Sequence, residues 1–453
     1  MSKKSFLVFL SARDIALAFI GVVPSSKSSL RDGTDLDSEA NMQNYSANKS
    51  DQELNQQPQE PEESLGQCRQ TEKEHGWRKV VRNFNPRWFT VNMGTGIVSI
   101  VLYNLPYNGR WLYWISVVIF CLNVALFVTF FLISVVHYTL YPWIWKEIIQ
   151  QPGDSLFLGT FPMGLATIIN MIVYVCVPAW GYRAVQLAWG LWWIDVALSL
   201  VCCLFVPFTM MYYYETSLSE MTADWIFPVV STIVAAASGG VVAEVLPNPT
   251  HALWTVLASY VLWGTGVPLA MVVLVIYFQR LTAHNLPPRE VIVSVFLPLG
   301  PLGQGGFGIM QLGKVAMDIF PKTSTLAPST INPGEVLYVV GWLVATVLWG
   351  FGLVWLFFAV ASLATERFRF PFGFGWWSFT FPLGVFTAST TQMGKELPSR
   401  FFNVFGTITA VSVTLLWILV SFHTIKNAAS GELFIAPSSK NLKKKRKDVR
   451  ATV

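Results

Sequence analysis

Charge is scarce in this 453-residue chain. Only 13% of its residues are charged and 53% are hydrophobic, whereas a soluble domain carries about 25% charged residues. Of the 31 Lys and Arg, 12 precede Trp88 and eight lie from Lys426 onward, leaving 11 for the 338 residues between. That middle region cannot form a water-soluble surface. The formal net charge of +5 belongs to the tails. It is not a nucleic-acid footprint, and basic tails suit a cytoplasmic face lined with anionic lipid. Cysteine is also sparse. Of the five, Cys121, Cys176, Cys202 and Cys203 sit in apolar runs and Cys68 stands alone, which excludes a disulfide framework. His75, His137, His251, His284 and His423 show no metal-ligand spacing with Cys, Asp or Glu. No Gly-x-Ser-x-Gly elbow, phosphate loop or His-Glu-x-x-His occurs, and Gly303-Gln304-Gly305-Gly306 follows no strand. These absences argue against an enzyme, a metal centre and a bound cofactor.

Long apolar runs rich in aromatics are present, with 19 Trp and 33 Phe. A bilayer crossing takes about 20 apolar residues. Ten runs qualify, near 88–104, 111–137, 156–179, 185–211, 225–244, 252–279, 291–313, 336–363, 376–394 and 402–425. The seventh and ninth are the most interrupted by Gly and Pro. The chain therefore reads as an all-α integral membrane protein. Residues 1–83 form a polar, disordered N-terminal tail, 84–428 a ten-helix transport domain, and 429–453 a basic C-terminal tail. Phe6–Val23, with Lys3 and Lys4 in front, has the outline of a signal peptide, but Arg13 and Asp14 break its apolar core, so the reading as a weakly amphipathic tail segment is favoured. Arg69, Lys73, Arg78, Lys79, Arg82 and Arg87 precede the first run. Lys440, Lys443, Lys444, Lys445, Arg446, Lys447 and Arg450 follow the last. The positive-inside rule then puts both termini in the cytoplasm. The internal loops divide their basic residues equally and do not decide the orientation.

The odd-numbered runs repeat. They read Phe89-Thr90-Val91-Asn92-Met93-Gly94, Thr160-Phe161-Pro162-Met163-Gly164, Ile226-Phe227-Pro228-Val229-Val230, Phe296-Leu297-Pro298-Leu299-Gly300 and Thr380-Phe381-Pro382-Leu383-Gly384. Four carry Pro in one slot and four carry Gly two residues later; Asn92 and Val230 are the exceptions. Five helical hairpins follow. A mid-helix Pro removes a hydrogen bond and kinks the helix, and in lipid the freed groups must face protein or a water-filled cavity. The pattern predicts five kinked inner helices in a quasi-five-fold ring around a central pore, with Asn92, Gly94, Phe161, Pro162, Gly164, Phe227, Pro228, Pro298, Gly300, Pro382 and Gly384 as pore-lining helix breaks. Their freed amides would attract an anion without a full positive charge. Asn92 would add a side-chain amide.

Intramembrane ionisable groups are few. Asp195 lies mid-span and Lys314 ends the seventh run. Lys314 is placed to pair with Asp318 four residues on. Asp195 is placed to hydrogen-bond a neighbouring helix. Proton coupling is the functional alternative for Asp195.

The stretch from Phe157 through Gly159-Thr160-Phe161-Pro162-Met163-Gly164 to Asn170 resembles the fungal sulfite efflux pump family, as does Phe84-Asn85-Pro86 with Asn92-Met93-Gly94-Thr95-Gly96-Ile97. That family belongs to the tellurite-resistance and dicarboxylate transporter group, which includes plant slow-type anion channels. The resemblance spans roughly residues 80–430. It implies five hairpins around a pore, a homotrimer, and a pore-plugging Phe on the ninth helix. That role falls by motif position on Phe381, with Phe379 and Phe386 as nearby rivals. It also implies export of a small inorganic anion, sulfite or bisulfite, across the plasma membrane. The alternative within the group is malate or another dicarboxylate, for which paired cationic pore residues are expected and only Lys314 is near.

Overall fold

A computed structural model describes residues 77–149, 152–213, 217–326, 331–367, 370–431 and 433. Phe6–Val23, Cys68 and the basic cluster from Lys440 lie outside the described residues. The described part is helical and contains no strand. Its principal helices are α1 (Phe89–Tyr103), α2 (Arg110–Leu140), α3 (Thr160–Met171), α4 (Tyr182–Tyr213), α5 (Phe227–Val245), α6 (Pro249–His284), α7 (Leu299–Lys322), α8 (Pro333–Thr365), α9 (Thr380–Glu396) and α10 (Arg400–Ala429). α3 runs on through a π-helical turn, Ile172–Cys176, to Trp180. Local chemistry starts several of them. Asn248 accepts from the Thr250 amide at 2.9 Å, and Asn332 from the Gly334 amide at 3.0 Å. Each cap precedes a proline whose fixed φ suits the first helical position.

Among the described residues, eight helical stretches are long and apolar enough to cross a membrane. α1 and α9 are not among them. With 15 and 17 residues, they rise about 22 and 25 Å, against a hydrocarbon core of about 30 Å. Both are enclosed by other helices, and α9 is buried from Thr380 to Gly394. A helix wrapped in protein need not match the lipid in length or hydropathy, and α9 is rich in Ser and Thr.

The packing separates two sets of helices. α1 packs on α3, α3 on α5, α5 on α7, α7 on α9, and α9 returns to α1. Each also packs on the helix that follows it in sequence. The odd helices are buried almost throughout, while the even ones expose apolar faces such as Val118, Leu122 and Leu132 on α2 or Val339, Leu343 and Val347 on α8. Such faces suit lipid. α7 and α8 approach closely because glycine permits it: a Cβ on Gly341 would lie 2.7 Å from the Ile309 carbonyl oxygen, and one on Gly313 2.8 Å from that of Leu337.

The expected mid-helix kinks are not found at the repeat prolines. Each odd helix is preceded by a 3-10 turn: Pro86–Trp88, Leu156–Gly159, Ala223–Ile226, Ile292–Phe296 and Phe374–Ser378. Pro162, Pro228 and Pro382 fall in the first turn after it, and Pro298 caps α7. First-turn amides have no intrahelical acceptor, so proline there sacrifices no bond. Helix Trp77–Arg82 occupies the end of the segment read as polar tail; its buried Val81 offers a carbonyl 2.6 Å from His137 Nδ1.

Candidate functional site

All five odd helices contribute to one small enclosed cavity of about 10 Å³, room for about one water. Its apolar wall includes Ile97 and Ile100 of α1, Val234 of α5, and Phe381 and Val385 of α9. Its polar wall is Thr167 and Asn170 of α3, Tyr174 of the π-helical turn, and Gln304 of α7. No carboxylate, ammonium or guanidinium lines it. The buried Asn170 Oδ1 has no hydrogen-bond partner, which marks a polar group awaiting a ligand or water. Neutral amide and hydroxyl dipoles can replace part of an anion's hydration without trapping it as a fixed cation would.

Three phenylalanines were candidates for the plug. Phe381 lines the cavity. Phe379 packs on Phe296 at 5.0 Å, and Phe386 stacks on Trp349 of α8 at 5.9 Å, facing an outer helix.

The residues expected as helix breaks do not line this cavity. Asn92 turns to α2, its amide donating to the Asn123 carbonyl at 3.2 Å and to Asn123 Oδ1 at 3.3 Å. Asn123 in turn donates to Thr167 Oγ1 at 3.2 Å. Asn92 is therefore a strut between helices, and the amide at the cavity is that of Asn170. Phe161 packs on Phe89 at 4.9 Å and Phe227 on Phe157 at 5.0 Å. Gly94 and Gly384 are contact points of α1 with α9 and the turn before it: a Cβ on Gly94 would come 2.6 Å from Trp377, and one on Gly384 2.6 Å from Ile97. Gly164 faces Asn92, and Gly300 faces open space. Nor are junction amides freed. Those of Phe89, Thr160, Phe227, Leu297 and Phe379 all bond to carbonyls of the preceding 3-10 turn. Thr90, Thr160 and Thr380 hold equivalent places in the repeat, and each hydroxyl donates to the carbonyl three residues back, at 2.7, 2.7 and 2.9 Å.

The charged candidates also move. Lys314 pairs with Glu244 of α5 at 3.0 Å, not with Asp318, which pairs with Lys322 at 2.6 Å. Asp195 is fully buried in α4, and neither carboxylate oxygen has a hydrogen-bond partner; the expected bond to a neighbouring helix is not formed. Sequence reasoning missed Asn170, Tyr174 and Gln304. Asn170 stands inside the recognised motif, but nothing in its spacing marks it as facing a cavity.

These features define a helical membrane protein with a small, mostly apolar and uncharged cavity among five helices, into which a few amide and hydroxyl groups project. Residues 83–425 match the voltage-dependent anion channel family, and the chain belongs to that family. It is 55% identical over 355 residues to the sulfite efflux pump SSU1 of Arthroderma benhamiae, covering 78% of this chain and 93% of that protein. It is 27% identical to the Candida albicans protein of the same name, covering 76% and 74%. Against the malic acid transport protein of Schizosaccharomyces pombe the identity is 25%, covering 76% and 78%.

Proposed function

We propose that the chain exports sulfite or bisulfite across the plasma membrane. Ten crossings, arranged as five hairpins in a quasi-five-fold ring, surround a central pore, and both termini are cytoplasmic. The observation that carries this reading is the enclosed cavity of the five odd helices, in a chain 55% identical to a protein named as a sulfite efflux pump. The anion enters from the cytoplasm, exchanges part of its hydration for Asn170, Gln304, Thr167 and Tyr174, and passes when the Phe381 ring swings aside. The protein acts as a transporter rather than an enzyme and assembles as a homotrimer. Neither Asp195 nor Lys314 lines the cavity, so neither is required to touch the anion in it.

Malate is the competing substrate, favoured by the likeness to the malic acid transport protein. A dicarboxylate presents two separated charges and calls for paired cations, whereas the cavity has none. The test is anion flux and current in proteoliposomes of purified protein, comparing sulfite, malate, chloride and nitrate at set voltage and pH. Sulfite selectivity is expected. Transport of malate without sulfite would overturn the substrate assignment.

A further inference from the structure

The C-terminal ends of the odd helices carry a second polar site. Lys395, in the last turn of α9, donates to Oδ1 of Asn104, the residue that caps the C-terminus of α1, at 3.0 Å. The two residues line an open cleft of about 600 Å³ between the α1–α2 and α9–α10 turns. The cleft wall also holds Asn108, Asn403, Tyr103 and Tyr113, and no carboxylate; the Asn104 amide donates to the Ile100 carbonyl at 3.1 Å and that of Asn108 to the Tyr103 carbonyl at 2.8 Å, which leaves each one further N–H. Three acids and bases have charges within reach of the Lys395 ammonium: Lys314, Glu244 and Glu396. The two acids are already engaged. Glu244 holds Lys314 at 3.0 Å and the Gln311 amide at 2.7 Å. Glu396 is bound by Gln392 at 2.9 Å and by the Tyr338 hydroxyl of α8. Lys395 is left with a neutral partner.

The cleft adjoins the central cavity. Tyr103 lines the cleft and Tyr174 the cavity. Their rings stack at 5.2 Å, and the Tyr103 hydroxyl donates to the Tyr174 carbonyl at 3.1 Å. The two tyrosines thus join the cleft wall to the cavity wall. Electrostatics requires something at this end. The C-termini of the odd helices present negative dipole ends that repel a departing anion, and a single ammonium among amide donors offsets them.

We infer that the Lys395 cleft, with Asn104, Asn108 and Asn403, is a binding site for small oxyanions at the exit of the pathway, receiving the anion after it passes the Tyr174–Tyr103 pair. The site rests on the export reading above. Lys395 sets how readily the anion is handed to the outer solution, and its amide neighbours favour oxygen-bearing anions over chloride.

The experiment compares wild type, Lys395→Gln and Lys395→Arg in proteoliposomes with sulfite, chloride, nitrate and malate, reading maximal flux and the half-saturating concentration of each transported anion at low and high ionic strength. Wild-type sulfite flux is read first; if malate alone moves, the export reading fails and the same comparison is made with malate. For the transported oxyanion, Lys395→Gln is expected to raise half-saturation about tenfold at low salt, with a smaller difference at high salt. Lys395→Arg is expected to restore it, and chloride to be affected less. Half-saturation unchanged in Lys395→Gln, or changed equally in both variants and for every anion, would overturn the site. Absence of any flux in folded wild type would sink both readings together.

Discussion

At the scale of single residues, Phe381 bears the sharpest consequence. It is 3% exposed and forms part of the cavity wall. Truncating it to Ala removes the ring from the proposed path and from the packing at once, so two readouts should move in opposite directions. Stability should fall by about 3 kcal/mol or more, as for other buried aromatics. Sulfite flux per folded protein should rise about tenfold or more, since a barrier lowered by about 1.4 kcal/mol suffices for that. Thermal melting and reconstituted flux check the pair. Unchanged flux in a destabilised protein would leave Phe381 a packing residue. Asp195 gives the opposite case. Its carboxyl is fully buried with no hydrogen-bond partner, and an unpaired charge there costs several kcal/mol. Asp195→Asn, which cannot carry that charge, is expected to melt no lower than wild type and to keep sulfite flux within about twofold, as an uncoupled site should. Loss of flux at intact melting temperature would assign Asp195 to proton coupling.

At the scale of elements, the hydropathy runs located the helices well. The run read as 252–279 is Pro249–His284 and that read as 402–425 is Arg400–Ala429, because lipid leaves no other way to satisfy the backbone. The repeat was legible as a register but not as a geometry. Proline in an apolar run reads as a kink only if the helix already extends before it. Here a 3-10 turn runs up to or into every repeat block, and no residue pattern separates a 3-10 turn from the first turn of a helix. The uncharged chemistry of the cavity was illegible for a related reason: Asn170 and Gln304 are single amides, and only the assembled helices bring them together. Lys395 falls one residue past the ninth run, where hydropathy alone gives a loop. One element contact can be tested directly. A Cβ on Gly303 of α7 would lie 2.5 Å from the Phe386 amide nitrogen of α9, whereas one on Gly350 of α8 meets nothing within 4 Å. Gly303→Ala should cost about 1–3 kcal/mol by overpacking, while Gly350→Ala should be neutral or stabilise by up to about 1 kcal/mol. Equal melting temperatures for the two variants would refute the close α7–α9 approach.

At the scale of the whole molecule, the proposed export reading predicts that the membrane potential sets the direction of transport. The cavity offers dipoles but no ion, so on that reading nothing in it neutralises the anion, and the anion would cross carrying its charge. An interior-negative potential then drives it outward by about 2.3 kcal/mol per charge for each 100 mV. At equilibrium under a 100 mV clamp, that gradient corresponds to about a 50-fold concentration ratio for a monoanion and about 2,500-fold for a dianion. Proteoliposomes clamped with a potassium gradient and ionophore should accumulate sulfite on the positive side, and reversing the clamp should reverse the net flux. The limiting ratio identifies the species carried: about 50-fold for bisulfite, far more for sulfite itself. A pH gradient at zero potential changes the supply of each species but should drive no flux against the gradient of the transported one. Uphill movement of that species under the pH gradient alone would require a proton to travel with it. The buried, unpartnered carboxyl of Asp195 would then be the first group to examine.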